Sequence, residues 1–217
     1  MNITVEQTLE MPDAVLFVRK VKSALETEKK KRRHFYEIVE ENKKMEFING
    51  EIVFHSPVKL KHNSATSSLC NLLKTYVIKN NLGFVGVEKI MISLTRNDYE
   101  PDVCFFGKEK AKQFTKNQMR FPAPDFVIEV LSDSTEKADR ETKFQDYAAH
   151  GVEEYWIVDA EREIIEQYFL QNEKYELLVK SNSGEINSIA LPDVKIPIRA
   201  VFDESENLLA LTKIISS

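Results

Sequence analysis

The chain has 217 residues, 42% hydrophobic and 30% charged, with a formal net charge of −5; that is the balance of a globular protein of one domain with additions. Its apolar runs fall well short of the roughly 20 residues a membrane span needs. The opening MNITVEQTLEMPD has no signal-type apolar segment, so a cytoplasmic protein with no membrane partner is expected. The acidic balance argues against coating nucleic acid by bulk charge, yet leaves room for a local basic groove or an acidic metal site.

Residues 13–35 (DAVLFVRKVKSALETEKKKRRHF) are predicted as one helix. Val15, Val18, Val21 and Leu25 recur at spacings of three and four as one apolar stripe, and Pro12 suits the helix start. The KKKRR run at 29–33 has two readings: solvated cations that suit the helix end, or a phosphate contact. Residues 44–56 (KMEFINGEIVFHS) read as a hairpin turning at Asn49-Gly50. Residues 62–80 read as a helix with Ala65, Leu69, Leu72, Leu73, Tyr76 and Val77 on one face, closed by NNLG. Two extended stretches, 84–87 and 90–94, are separated by a phase change near Glu88 that signals a bulge or a bend. Residues 99–107 (YEPDVCFFG) give a short strand beginning after Pro101. Residues 108–123 are polar and Lys-rich, expected as a loop with a short helix. Cys70 and Cys104 lie far apart in apolar contexts and read as reduced core thiols; no Cys/His spacing resembles a zinc site.

Residues 122–135 (PAPDFVIEVLSDST) read as turn, strand, turn. Glu129 stands inside the apolar run Phe126, Val127, Ile128, Val130, Leu131. A buried carboxylate is costly unless it is paired, protonated or bound to a cation. A helix follows, ended by Gly151, with Ser134 or Thr135 as its cap. Strands are predicted at 154–159, 163–170 and 174–179, the last two forming a C-terminal β-hairpin. The remainder reads as irregular, broken by Pro192 and Pro197, with a short strand near 195–198 and an apolar end at 208–215. Strand, helix, strand suggests a right-handed crossover between parallel neighbours, and the earlier strands suggest an antiparallel meander. The fold class is therefore α/β (α+β), a mixed sheet flanked by helices. With no repeat or linker, one domain over 36–217 is expected, preceded by a helical extension over 1–35.

The acidic residues carry the functional signal. Side chains alternate along a strand, so Asp125, Val127, Glu129 and Leu131 share a face. Asp102, just inside a neighbouring strand, can reach the same divalent ion as Glu129. Magnesium prefers such oxygen ligands and keeps several waters, one of which can serve as nucleophile. The following helix offers Asp139, Lys143 and Tyr147 at spacings of four, and a lysine there can orient the water or offset phosphate charge. The plainer readings are a strand-capping turn residue for Asp102, a cross-sheet ion pair for Glu129, and an i,i+4 partner of Asp139 for Lys143. Tyr155 and Trp156 read as core or as base-stacking residues, and His62 as a satisfied helix-start residue or a base.

The segments MEFINGEIV, His62, EPDV, PDFVIEVLSDST and KADRETKFQDYAAHGVEEYWIVD together closely resemble the Uma2 family, within the PD-(D/E)XK restriction-endonuclease-like superfamily. The resemblance runs from residue 35 to residue 180. It implies a four-stranded mixed core sheet flanked by helices, with a metal site on the sheet. The PD aspartate matches Asp102 and the strand acid matches Glu129. The superfamily has a lysine two residues after that acid; here the position is Leu131, and the matching lysine is Lys143 on the next helix. Glu46 matches an early acidic residue, as an extra ligand or a water contact. Asp125 also matches, though after Pro124 it reads equally as a turn residue. Asp133 stands where the family more often has proline. The expectation is a Mg2+ (or Mn2+)-dependent endonuclease hydrolysing DNA phosphodiesters, as a homodimer through the N-terminal helix. The alternative is a catalytically degenerate nucleic-acid-binding or interaction protein on a nuclease scaffold.

Overall fold

The computed structural model describes residues 4–40 and 43–216. Two main sheets organise the chain. The large sheet has six strands in the order Lys174–Ser181, Ile164–Gln171, Glu154–Asp159, Phe126–Val130, Val103–Gly107, Gly83–Val87. Only the central pair, Phe126–Val130 with Glu154–Asp159, is parallel; the other pairings are antiparallel. Helical segments over 136–149 make the crossover between those two strands, as the strand-helix-strand order predicts. The sheet has six strands rather than four because the C-terminal hairpin continues its edge.

The early strands do not form one meander. Five short strands build a second sheet in the order Glu51–Phe54, Met45–Ile48, Asp98–Tyr99, Met91–Ser93, Arg120–Phe121, its last pairing parallel. Its hairpin turns at Asn49 and Gly50, with φ of 51° and 85°, the left-handed pair that a two-residue turn demands. The phase change near Glu88 is the crossing from the large sheet to the small one. Glu88 itself adopts φ 50°, and Ile90 N donates to the Glu88 carbonyl.

Alternation along the large sheet sends its two faces to two cores. Val103, Phe105, Phe126, Ile128 and Val130 pack against Leu69, Leu72, Leu73 and Val77 of the helix Leu60–Asn80. Cys104, Phe106, Val127, Tyr155 and Ile157 pack instead against Ile92, Leu94 and Tyr99 of the small sheet. Tyr155 and Trp156 are fully buried, so they are core residues and no stacking platform. The tail is not irregular: Arg199–Phe202 and Glu204–Ser216 are helices that complete the first core. Asp203 caps the second of these, accepting from Ser205 N and Glu206 N, a start signal readable as D-E-S-E.

The N-terminal helix Ala14–Ile38 is held by its second half. Arg32 bonds both oxygens of buried Asp98 and the carbonyls of Leu94, Thr95 and Asn97. One member of the basic run is thus an internal anchor, and Phe35 behind it is fully buried. The stripe of Val15, Val18, Val21 and Leu25 remains exposed.

Glu154 fastens the segment after the hairpin. Its buried carboxylate accepts from Trp156 Nε1, Gln167 Nε2, Ser188 Oγ, Ile189 N and Ala190 N, at 2.6–2.9 Å. Truncation leaves these donors unsatisfied, so Glu154→Ala is expected to lower the unfolding free energy by about 3 kcal/mol. Denaturant titration checks this, and a loss within experimental error would contradict it.

Candidate active site

The site lies where the two sheets face one another. Antiparallel register pairs Val103 with Ile128 and Cys104 with Val127, so the next step sets Asp102 opposite Glu129, both on the face turned to the small sheet. Directly opposed side chains in such a pair have Cβ atoms roughly 5 Å apart, a distance at which like charges repel. Both residues are buried. The chain therefore places two carboxylates against each other out of bulk water.

Lys143 answers part of that charge. Its Nζ lies 3.0 Å from Glu46 Oε1, 3.1 Å from Glu129 Oε1 and 3.1 Å from Asp139 Oδ1. One lysine so joins the small sheet, the large sheet and the crossover helix. The turn that carries it, Asp139–Lys143, is π-helical between the α-helical pieces Glu136–Ala138 and Phe144–Ala149. Such widened turns are rare and recur at functional sites. Glu46 is fixed further by Glu100 N at 2.8 Å and His55 Nε2 at 2.9 Å.

Asp102 has a separate set of partners. Oδ2 accepts from Val130 N at 2.8 Å and lies 3.3 Å from His62 Nε2; Oδ1 accepts from Lys44 Nζ at 3.0 Å. His62, in the first turn of Leu60–Asn80, is buried and aimed at this carboxylate, while its Nδ1 has no partner among the described residues. A cleft of ≈ 450 Å³ opens over Asp102, Glu129, Lys44, His55, His62 and Lys143.

The environments push the four carboxyls apart. Burial raises the Asp102 pKa, but the His62 hydrogen bond and the Lys44 charge outweigh it and hold Asp102 below the ordinary range. Glu46 is likewise lowered: burial opposes ionisation, and Lys143 and His55 prevail. Glu129 moves the other way, well above its ordinary value, because burial dominates Lys143 and because Asp139, Asp102 and Glu46 add repulsion. Asp139 is raised too, burial outweighing the Lys143 charge. Lys143 stays firmly protonated: burial disfavours its charge, and Glu129, Glu46 and Asp139 more than compensate.

The structure thus brings together Asp102, Glu129, Lys143 and Glu46. It leaves Asp125 apart. Asp125 binds Gly107 N at 2.6 Å and Lys110 Nζ at 2.6 Å at the far end of its strand, the turn role that Pro124 suggested. The i,i+4 pairing of Asp139 with Lys143 is present as the spacing predicts, within a π turn that the pattern did not show; residues not singled out by pattern are Lys44 and His55, which flank the hairpin strands, where only their pairing across to Asp102 and Glu46 marks them.

A mixed sheet flanked by helices, with two acids opposed on adjacent strands, is the restriction-endonuclease-like layout. The chain belongs to the Uma2 family, described as "putative restriction endonuclease", which it matches over residues 32–199. It is 30% identical over 156 residues to the uncharacterized protein sll1609 of Synechocystis sp., covering 70% of this chain and 86% of that one. In fold it resembles the crystal structure of a "putative nuclease belonging to DUF820" from Anabaena variabilis, at a TM-score of 0.68 and 18% identity, over 80% of this chain and 96% of the other.

The raised Glu129 pKa has a consequence for stability. A carboxyl whose folded pKa exceeds its unfolded value stabilises the fold only while protonated, and that contribution is lost as pH rises through the folded value. In metal-free protein, Glu129→Gln removes this loss. It is expected to raise the unfolding free energy at pH 8. At pH 4 the gain should shrink. Thermal melts at both pH values check this, and a variant less stable than wild type at pH 8 would contradict it.

Proposed function

We propose that the protein is a nuclease that hydrolyses phosphodiester bonds of DNA with Mg2+ or Mn2+. The observation that carries the reading is the opposed pair Asp102 and Glu129 at the floor of an open cleft, with more buried carboxylates than cations around them. Among the described residues no three His, Cys, Asp or Glu side chains form a ready metal cage. The donor set nevertheless fits magnesium, which typically takes one or two carboxylates and fills its remaining positions with waters and substrate phosphate. The raised Glu129 pKa fits as well, since an anionic site short of cations is what a divalent ion relieves.

Asp102 and Glu129 would hold the ion, which when bound supplies charge to the phosphate and acidity to a water. Val130 N and His62 keep Asp102 oriented and ionised. Lys143 holds Glu129 and Glu46 in place from behind, and the Glu46–His55 pair closes the wall next to them. In the reaction a water oxygen bonds to phosphorus and gives up a proton, the P–O ester bond breaks, and the departing alkoxide takes up a proton. Plasmid and oligonucleotide cleavage assays with Mg2+ or Mn2+ test the reading. Asp102→Ala and Glu129→Ala are each expected to reduce the rate on the order of 10³-fold. Cleavage that persists unchanged in both would sink the assignment.

One observation favours a second reading, of nucleic-acid binding without cleavage: Leu131 stands where the superfamily has its lysine, and Lys143 is sealed among carboxylates. Binding of DNA with no calorimetric Mn2+ uptake supports that alternative. We assign a homodimer contact to the exposed stripe Val15, Val18, Val21 and Leu25. Light scattering of Val18→Glu/Leu25→Glu checks it, and an unchanged mass would refute it.

A further inference from the structure

We propose that Lys44 is the lysine that touches the scissile phosphate, filling the role that Leu131 leaves vacant. The inference rests on the nuclease reading above and identifies, within that site, the cation that meets the substrate.

Two lysines reach the opposed carboxylates, and their surroundings differ. Lys143 is 2% exposed, with a carboxylate oxygen within 3.1 Å in three directions. Its hydrogen bond goes to Glu129 Oε1, and Glu46 and Asp139 are held as close ion pairs. Freeing Lys143 for a phosphate would strip a buried carboxylate of its counter-ion, which costs several kcal/mol. Lys143 is therefore fitted to hold the acids and poorly fitted to leave them.

Lys44 immediately precedes the strand Met45–Ile48 and reaches across from the small sheet. Its side chain is 18% exposed and lines the cleft beside Asp102 and Glu129. It makes one hydrogen bond, to Asp102 Oδ1, and one looser ion pair, 3.8 Å from Glu88 Oε2. Its ammonium is thus the more exposed of the two, has fewer acids around it and borders the cavity. Asp102 Oδ2 is already committed to Val130 N and His62, so Lys44 approaches the oxygen that the backbone leaves open. Glu88, the second acid beside Lys44, is held at φ 50°, a conformation that a non-glycine residue adopts at a cost and that clusters at functional sites. Leu131 cannot compete for the role, because it packs against the core between the sheets.

A cation so placed offsets the charge that builds on a non-bridging phosphate oxygen as the water oxygen bonds to phosphorus and the ester P–O bond breaks. It need not change its own protonation.

The test compares full-length wild type, Lys44→Gln and Lys44→Arg on a labelled duplex oligonucleotide. Cleavage is measured with Mn2+. Binding is measured by fluorescence anisotropy with Ca2+ across a salt series, Mn2+ affinity by calorimetry, and folding by thermal melt. Lys44→Gln is expected to lower kcat on the order of 10²-fold and to make the slope of log affinity against log salt shallower by about 1. Lys44→Arg should recover most of the rate, and Mn2+ affinity should stay within a few-fold. Wild-type rates in Lys44→Gln overturn the proposal. So does a rate loss that arginine does not rescue and that tracks weakened Mn2+ affinity, which marks a merely structural role. If wild type binds the duplex without cutting it, the nuclease reading falls. The Lys44 contact then stands or falls on the anisotropy data, and an unchanged salt slope overturns it.

Discussion

The structure turns on one buried ammonium among three carboxylates. Lys143 meets Glu46 from the small sheet, Glu129 from the large sheet and Asp139 from its own helix, each within 3.1 Å. Without that cation, three elements would press like charges into a space that water hardly enters. With it they are tied together, though not neutralised: one positive charge faces three acids, and Asp102 stands opposite Glu129 with its own partners, Lys44 and His62. Replacing such a cluster by apolar residues would commonly leave a protein no less stable. Its presence at the floor of a cleft is in keeping with the proposed function.

The imbalance is distributed in a way that suits a cation. Asp102 and Glu46 are held ionised by direct partners, whereas burial, with repulsion from neighbouring acids added, shifts Glu129 and Asp139 upward. On the proposed reading, a divalent ion supplies the countercharge that Glu129 lacks. Away from the cleft, Arg32 clamps the N-terminal helix to Asp98, and Glu154 gathers donors from Trp156, Gln167 and residues 188–190.

Much of the site was legible in the sequence, because alternation and helical spacing are local rules. Period two put Glu129 and Val127 on one face, and a spacing of four put Asp139 beneath Lys143. The Asn49-Gly50 turn was equally plain. Local rules do not say which distant element covers a face. Hence the division into two sheets at Glu88, the reach of Lys44 to Asp102 and the count of acids around Lys143 were hidden, each depending on contacts across more than ten residues. The π turn was hidden for another reason: no Gly or Pro marks it, and tertiary pairing of Lys143 accompanies the wider turn. Arg32 was lost in a run of like charges, where composition speaks for the group and not for its one buried member. The C-terminal helix was readable, and the nearby prolines obscured its Asp203 cap.

The most direct test of the central claim is an anomalous difference map from crystals of the wild-type protein soaked in Mn2+. The account predicts a single strong peak between the carboxylates of Asp102 and Glu129, with Lys143 still seated on Glu46. A map with no peak there, or with manganese bound only at surface acids, would contradict it.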